Sequence, residues 1–136
     1  RVASRGLGDV YKRQDFWIGL GANVLQESPE RHDAIVANVS HLPHLLASSL
    51  ANYLSTALPT AAQFCGNGLK DTTRIASGDP QMWRDIIVQN RPEIIRSLDA
   101  FQNEIQSLRT DISNEDDFAV LGKLAQGKAF RDQLDS

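Results

Sequence analysis

The chain has few of the residues that mark several large classes of protein. Its 136 residues include one cysteine, Cys65, which excludes an internal disulfide and a four-cysteine zinc site. No apolar run approaches the roughly 18 to 20 residues that a membrane-spanning helix needs. Fourteen Lys and Arg stand against seventeen Asp and Glu, a formal net charge of −3, and no basic stripe is interleaved with aromatic residues. These absences predict a soluble, cytoplasmic protein that binds neither membrane nor nucleic acid.

The remaining composition is that of a globular domain. Hydrophobic residues make up 41% of the chain and charged residues 23%, which is enough apolar material for a packed core. A length of 136 residues is typical of one domain.

The first fourteen residues differ from the rest. They carry four basic residues and one acid, and they lack both apolar periodicity and the apolar core of a signal peptide. The string from Ser4 to Gln14 resembles a translated sequencing-library transposase adapter. We interpret residues 1–14 as a non-native leader and residues 15–136 as the domain, with ten basic and sixteen acidic residues and a net charge of −6. An adapter joined in frame would also mean that the native gene continues upstream.

Apolar residues recur at helical spacing along most of the domain. From Pro29 to about Leu58 the period stays between three and four, which predicts one long helix that Pro43 bends. Two further helix starts are predicted at Asp79-Pro80 and at Asn90-Arg91-Pro92, since a capping residue stands just ahead of a proline in each. No segment alternates with period two for long enough to form a strand. The fold class is therefore all-α, and amphipathic helices this long in so small a domain predict a helical dimer.

Polar residues interrupt the apolar pattern of the long helix: His32, Asp33, Ser40, His41 and His44. At about 100° per residue, Asp33, Ser40 and His44 fall within roughly 40° of one another, with His41 at the rim of that stripe. The stripe could line a ligand site, or its members could be polar residues bonded to each other or to the bent backbone. A metal site is not expected, because His41 and His44 are three apart and every histidine lies on this helix.

A second group follows a glycine loop, Gly66-Asn67-Gly68. Lys70 and Arg74 lie four residues apart on one face of a short predicted helix, next to free backbone N–H groups. That arrangement suits a carboxylate ligand. Alternatively, Asp71 and Asp79 could neutralise the two bases in surface ion pairs, which contribute little to stability.

Three strings, in order, carry a resemblance to a known family. They are Phe16-Trp17-x-x-Leu20-Gly21-Ala22, then Pro29-x-x-His32-Asp33-x-Ile35-Val36-Ala37-x-Val39-Ser40-His41-Leu42-Pro43-His44-Leu45-Leu46-Ala47, and finally Lys70-Asp71-x-Thr73-Arg74-Ile75-Ala76-x-x-Asp79-Pro80-x-Met82-Trp83-x-Asp85-Ile86. The strings resemble the C-terminal helical domain of prephenate dehydrogenases, whose architecture arogenate dehydrogenases share. The match covers roughly residues 15–90 in its motifs and the later helices only in general pattern.

The resemblance implies a two-domain enzyme. An N-terminal Rossmann domain, missing here, would hold NAD or NADP, and this helical domain, of the 6-phosphogluconate-dehydrogenase-like C-terminal type, would form the homodimer. The family reaction is the oxidative decarboxylation of prephenate to 4-hydroxyphenylpyruvate in tyrosine biosynthesis. Arogenate is the alternative substrate, and tyrosine is a candidate feedback inhibitor. The other hypotheses are a stand-alone helical dimer that binds an aromatic or dicarboxylate ligand without catalysis and, more distantly, a metal-dependent hydrolase.

The resemblance also implies roles for individual residues. The general-base histidine of the family lies upstream, so no catalytic residue is expected in this chain. Arg74 matches the arginine of the Thr-Arg-Ile motif and would grip a substrate carboxylate, with Trp83 as a wall of the cleft and Lys70 and Asp71 ordering the glycine loop. Asn67 stands where a third glycine is expected. The expected substrate-binding residues are Arg74, Ser40, His41, His44, His32, Asp33 and Trp83.

Overall fold

The computed structural model describes Asp15, Ile18, Gly19 and residues 27–135. Every regular element in this described part is helical, which confirms the all-α prediction. The chain divides into two compact units, residues 1–32 and residues 33–136. The leader assigned to residues 1–14, and most of the motif at residues 16–22, lie outside the described residues. None of the described helices is long and apolar enough to cross a membrane.

The helices follow one another through short connections. They are α1 (Pro29–Val36), α2 (Leu42–Ala57), α3 (Ala61–Phe64), α4 (Asn67–Thr73), α5 (Pro80–Gln89), α6 (Arg91–Ser113) and α7 (Asp117–Gln133). A π-helical turn at Ala37–His41 joins α1 to α2, and a 3-10 turn at Arg74–Ser77 follows α4.

The long predicted helix is present, but it changes its hydrogen bonding in the middle. The N–H of Leu42 bonds to the carbonyl of Ala37, five residues back, so the chain makes one wide turn while the backbone stays right-handed. Pro43, which has no N–H to donate, follows at once in the first turn of α2. The disturbance expected at Pro43 therefore takes the form of a π turn just before it.

Local capping explains the later helix starts. Asp79 accepts a hydrogen bond from the N–H of Gln81 at the start of α5, and Asp116 accepts one from Ala119 at the start of α7. Asn90 precedes α6 as predicted, but its side chain makes no capping hydrogen bond. Its amide is used elsewhere, at the site described below.

The buried core is small and lies where the π turn, α2 and the start of α6 meet. Ala37, Ala47 and Ile94 are its buried apolar residues, beside the buried polar residues His44, Asn90 and Ser97. By contrast, many large apolar side chains of α6 and α7 are exposed: Ile95, Leu98, Ile105, Ile112, Phe118, Leu121, Leu124 and Phe130. Large apolar side chains left exposed in such number on two helices are typical of an interaction face.

Candidate functional site

Three aromatic rings from different elements come together beside the core. We call His41, His44 and Trp83 the aromatic cluster. His44, in the first turn of α2, stacks on Trp83 of α5 with ring centroids 3.6 Å apart and planes 8° from parallel. His41, the last residue of the π turn, meets Trp83 edge to face, with centroids 6.2 Å apart and planes at 85°. The cluster thus joins the middle of the long helix to α5.

Gly78 makes room for this stacking. A Cβ built at Gly78 would lie 2.7 Å from Nε1 of Trp83 and 3.1 Å from Cε1 of His44. Both atoms belong to rigid rings, so neither can bend aside as the end of a flexible chain could. The backbone at Gly78 is ordinary, with φ −62° and ψ 158°, and the need for glycine here is therefore one of space.

Asn90 ties the cluster to the junction of α5 and α6. Its side-chain Nδ2 donates to the backbone carbonyl of Asp33 at 2.8 Å and lies 3.3 Å from Nδ1 of His41. Asn90 itself is buried. The amide therefore connects two points of the long helix, the backbone of Asp33 and the ring of His41.

Burial makes the two histidines of the cluster poor bases. The pKa of His44 lies below its ordinary value because burial disfavours the charged imidazolium. The pKa of His41 is lowered for the same reason, although the nearby carboxylate of Asp33 opposes the shift. At neutral pH the cluster therefore presents two neutral rings, which suit stacking and directed hydrogen bonds better than charge pairing.

Two clefts of similar size flank α2. The tryptophan cleft, about 390 Å³, is lined by His44, Gly78 and Trp83 together with two arginines, Arg84 and Arg91. Arg84 is paired with its neighbour Asp85 at 2.8 Å.

The second cleft, which we call the α2–α4 cleft, measures about 380 Å³. Leu54 and Leu58 line it from the end of α2, and Cys65, Lys70 and Thr73 line it from the loop and α4. Its lining is thus mainly apolar, with Lys70 as its cationic residue.

Comparisons with known proteins decide the family. Residues 28–126 match the family model described as prephenate dehydrogenase, dimerization domain. The chain belongs to the prephenate dehydrogenase family. It is 35% identical to the prephenate dehydrogenase of Bacillus subtilis over 119 residues, covering 85% of this chain and 32% of that protein. It is 32% identical to the cyclohexadienyl dehydrogenase of Zymomonas mobilis over 106 residues, covering 75% of this chain and 36% of that protein.

Solved structures share the helical fold. The crystal structure of prephenate dehydrogenase from Aquifex aeolicus in complex with hydroxyphenyl propionate and NAD⁺ superposes with a TM-score of 0.87 at 30% identity, over 98% of this chain and 48% of that one. A crystal structure of Synechocystis arogenate dehydrogenase gives a TM-score of 0.84 at 24% identity, over 94% of this chain and 48% of that one, which shows likeness of fold. The chain thus spans about a third to a half of the length of these relatives.

Within this family domain, the residues expected on one polar stripe have different surroundings. His44 is buried and His41 is half-buried, whereas Ser40 and the side chain of Asp33 are exposed. The π turn lies between Asp33 and His44, so a constant 100° per residue does not describe their rotation around the axis. The exposed His32 belongs to the other compact unit of the chain.

The basic residues of the second group are exposed. Lys70 and Asp71 lie in α4, and Arg74 begins the 3-10 turn that leads to Gly78. Within the described residues, neither Lys70 nor Arg74 has a carboxylate partner within 4.0 Å, so the alternative of surface ion pairs with Asp71 and Asp79 is not found there. Arg74 therefore keeps its guanidinium available to a ligand.

Sequence reasoning missed two residues that organise the cluster. Asn90 has the pattern of a helix cap, which hides its contact with His41, and Gly78 has no local signal that predicts close packing against Trp83. Among the described residues, no group of three or more His, Cys, Asp or Glu side chains is arranged to hold a metal ion.

Proposed function

We propose that this chain is the helical, substrate-binding and dimerising part of an NAD(P)-dependent dehydrogenase that acts on prephenate or arogenate. The observation that carries the proposal is the match of residues 28–126 to the dimerization domain of the prephenate dehydrogenase family. A relative of 30% identity was crystallised with hydroxyphenyl propionate and NAD⁺, a phenolic carboxylate and the nicotinamide cofactor. Prephenate and arogenate share the carboxylate and the six-membered ring of such a ligand.

The cofactor is assigned to another part of the whole protein. Binding a dinucleotide requires a strand, a glycine-rich turn and a helix whose N-terminus meets the pyrophosphate. The described residues are all helical and include no such unit, so they do not fit NAD or NADP by themselves. An N-terminal Rossmann domain in the full-length protein would hold the cofactor and carry the general-base histidine.

Arg74 is the residue we assign to a carboxylate of the substrate. A guanidinium stays charged at any working pH and can donate two parallel hydrogen bonds to a carboxylate. Arg74 is exposed and has no ion-pair partner among the described residues, and Lys70 and Asp71 precede it in α4, where they would support the loop.

The aromatic cluster is the part we assign to the substrate ring. Trp83 lines the tryptophan cleft beside His44, and its indole is a flat apolar wall, which suits a six-membered ring; His41 and His44 hold that wall in place. Ser40 and the His32-Asp33 pair are assigned to the polar surroundings of the cleft on the family resemblance.

A second copy of the chain is the partner we propose for the exposed apolar face. Leu46, Ile95, Leu98, Phe101 and Ile105 line a hollow of about 560 Å³ between α2 and α6. The large apolar side chains of α7 are exposed as well, and a partner subunit would remove such side chains from water. Homodimerisation through α6 and α7 would bury this face.

The experiment that tests the proposed function uses the full-length gene. The purified enzyme is assayed for reduction of NAD⁺ and of NADP⁺ with prephenate and with arogenate, with and without tyrosine. Turnover of either substrate is the expected result. Ligand binding without turnover in the full-length protein would favour the alternative, a helical binding module without catalysis.

A further inference from the structure

Asn90 lies between α5 and α6, and its side chain makes no hydrogen bond to the backbone of either helix. Its N–H bonds to the carbonyl of Ile86 at 3.1 Å, and its carbonyl accepts from the N–H of Ile94 at 3.1 Å, so backbone atoms alone link α5 to α6. The residue is only 8% exposed. A buried amide without a capping role must find its partners in the tertiary structure.

The partners of Asn90 fix the orientation of its amide group. The atom 2.8 Å from the Asp33 carbonyl has to be the NH₂ nitrogen, because a peptide carbonyl can only accept a hydrogen bond. The same nitrogen lies 3.3 Å from Nδ1 of His41. An NH₂ group has two hydrogens, so one can point to the carbonyl and the other to the imidazole.

We propose that Asn90 is a positioning residue that holds His41 in the tautomer with its proton on Nε2. Since the amide nitrogen is a donor, Nδ1 of His41 must be the acceptor, and a proton on Nδ1 would place two donors against each other. The neutral ring then carries its hydrogen on Nε2 and can donate it to a ligand oxygen. That this oxygen belongs to prephenate or arogenate rests on the proposed function.

The charged and titratable neighbours of His41 act in opposite directions. The carboxylate of Asp33 favours the imidazolium, whereas burial and the donor from Asn90 disfavour it. Trp83 meets the ring edge to face and does not titrate. The balance leaves the pKa of His41 below its ordinary value, in agreement with a neutral ring.

Nitrogen chemical shifts test the tautomer directly. A long-range proton–nitrogen NMR spectrum of the whole chain at about pH 8 distinguishes a protonated from an unprotonated ring nitrogen. Comparison with His32→Gln and His44→Gln assigns the signals of His41. We expect an unprotonated Nδ1 and a protonated Nε2 in the unchanged protein, and the reverse pattern would overturn the inference.

Asn90→Asp supplies the second measurement. A carboxylate cannot donate, so Nδ1 of His41 should become protonated and the pKa of His41 should rise. Asn103→Asp adds the same charge to the exposed middle of α6 and should leave the signals of His41 unchanged. Unchanged Nδ1 shifts in Asn90→Asp, with the rest of the spectrum preserved, would also overturn the inference.

The two proposals fail separately. An enzyme that is inactive on prephenate and arogenate, with His41 in the Nε2–H form, would refute the proposed function and leave the role of Asn90 intact. An active enzyme with a proton on Nδ1 of His41 would refute the role of Asn90 and leave the proposed function intact.

Discussion

His44 and Trp83 stack nearly parallel at 3.6 Å, and this contact holds the middle of the long helix against α5. The histidine is 6% exposed, so the stack is part of the buried core rather than a surface contact. Stacked aromatic pairs contribute about 0.5 to 1.5 kcal/mol beyond the burial of their area. The pair therefore both stabilises the domain and shapes the tryptophan cleft.

Gly78→Ala should destabilise the domain by about 1 to 3 kcal/mol. The new methyl group would meet Nε1 of Trp83 and Cε1 of His44, and the stack would have to shift to admit it. Urea unfolding followed by circular dichroism measures the change, and tryptophan fluorescence in a Trp17→Phe background, where Trp83 is the remaining tryptophan, reports on the stack.

Gly122→Ala is the matched control for that change. Gly122 lies inside α7, and a Cβ there meets no atom within 4 Å. Alanine should stabilise this helix by up to about 1 kcal/mol. A loss of stability at Gly122 similar to that at Gly78 would contradict the steric explanation.

The domain should lose stability as the pH falls below about 6.5, the ordinary pKa of histidine. The pKa values of His41 and His44 are lowered in the folded state, so the unfolded chain binds protons more readily over this range. Their contribution is complete above about pH 6.5 and is lost as the pH falls through the folded-state values. Urea unfolding between about pH 7.5 and 5.5 measures the slope, which should be shallower in the His41→Gln/His44→Phe double variant.

Arg74→Ala in the full-length enzyme should raise the KM for the substrate roughly 10- to 100-fold or more, because a charge-assisted bond to a carboxylate is lost. The KM for the nicotinamide cofactor should hardly change. Arg74→Lys should recover only part of the loss, since an ammonium cannot make the two-pronged contact. Steady-state kinetics with each substrate varied in turn gives both constants.

Arg96→Ala provides the comparison for Arg74, because it removes an exposed arginine of α6 that is paired with Glu93. It should leave both KM values unchanged. An effect of Arg74→Ala on the cofactor alone would place Arg74 in the cofactor site instead.

Ile105→Glu should weaken dimerisation by at least about 100-fold, because an unpaired charge in a buried interface costs several kcal/mol. Ile105 is 50% exposed on the apolar face of α6. Asn103→Glu adds the same side chain to the opposite face of α6 and should leave the dimer intact. Light scattering at micromolar concentration measures the molar mass of both variants. If the unchanged protein is already a monomer under these conditions, the proposed dimer is contradicted.

The sequence by itself determined the helical class, most helix starts and the family. Helix starts such as Asp79-Pro80 are local, since a carboxylate caps N–H groups two residues away and a proline fixes its own backbone angle. The family strings are also linear, and the family match over residues 28–126 confirms the resemblance that they carry.

Only the tertiary structure decided which polar residues meet. His44 and Trp83 are far apart in sequence, and Asn90 has the local pattern of a cap although its amide faces Asp33 and His41. Helical periodicity could not place these side chains, because the π turn before Pro43 changes the rotation of the helix between Asp33 and His44. The face of the long helix that is buried depends on the packing of α2 against α5 and α6. The sequence of a single segment does not specify that packing.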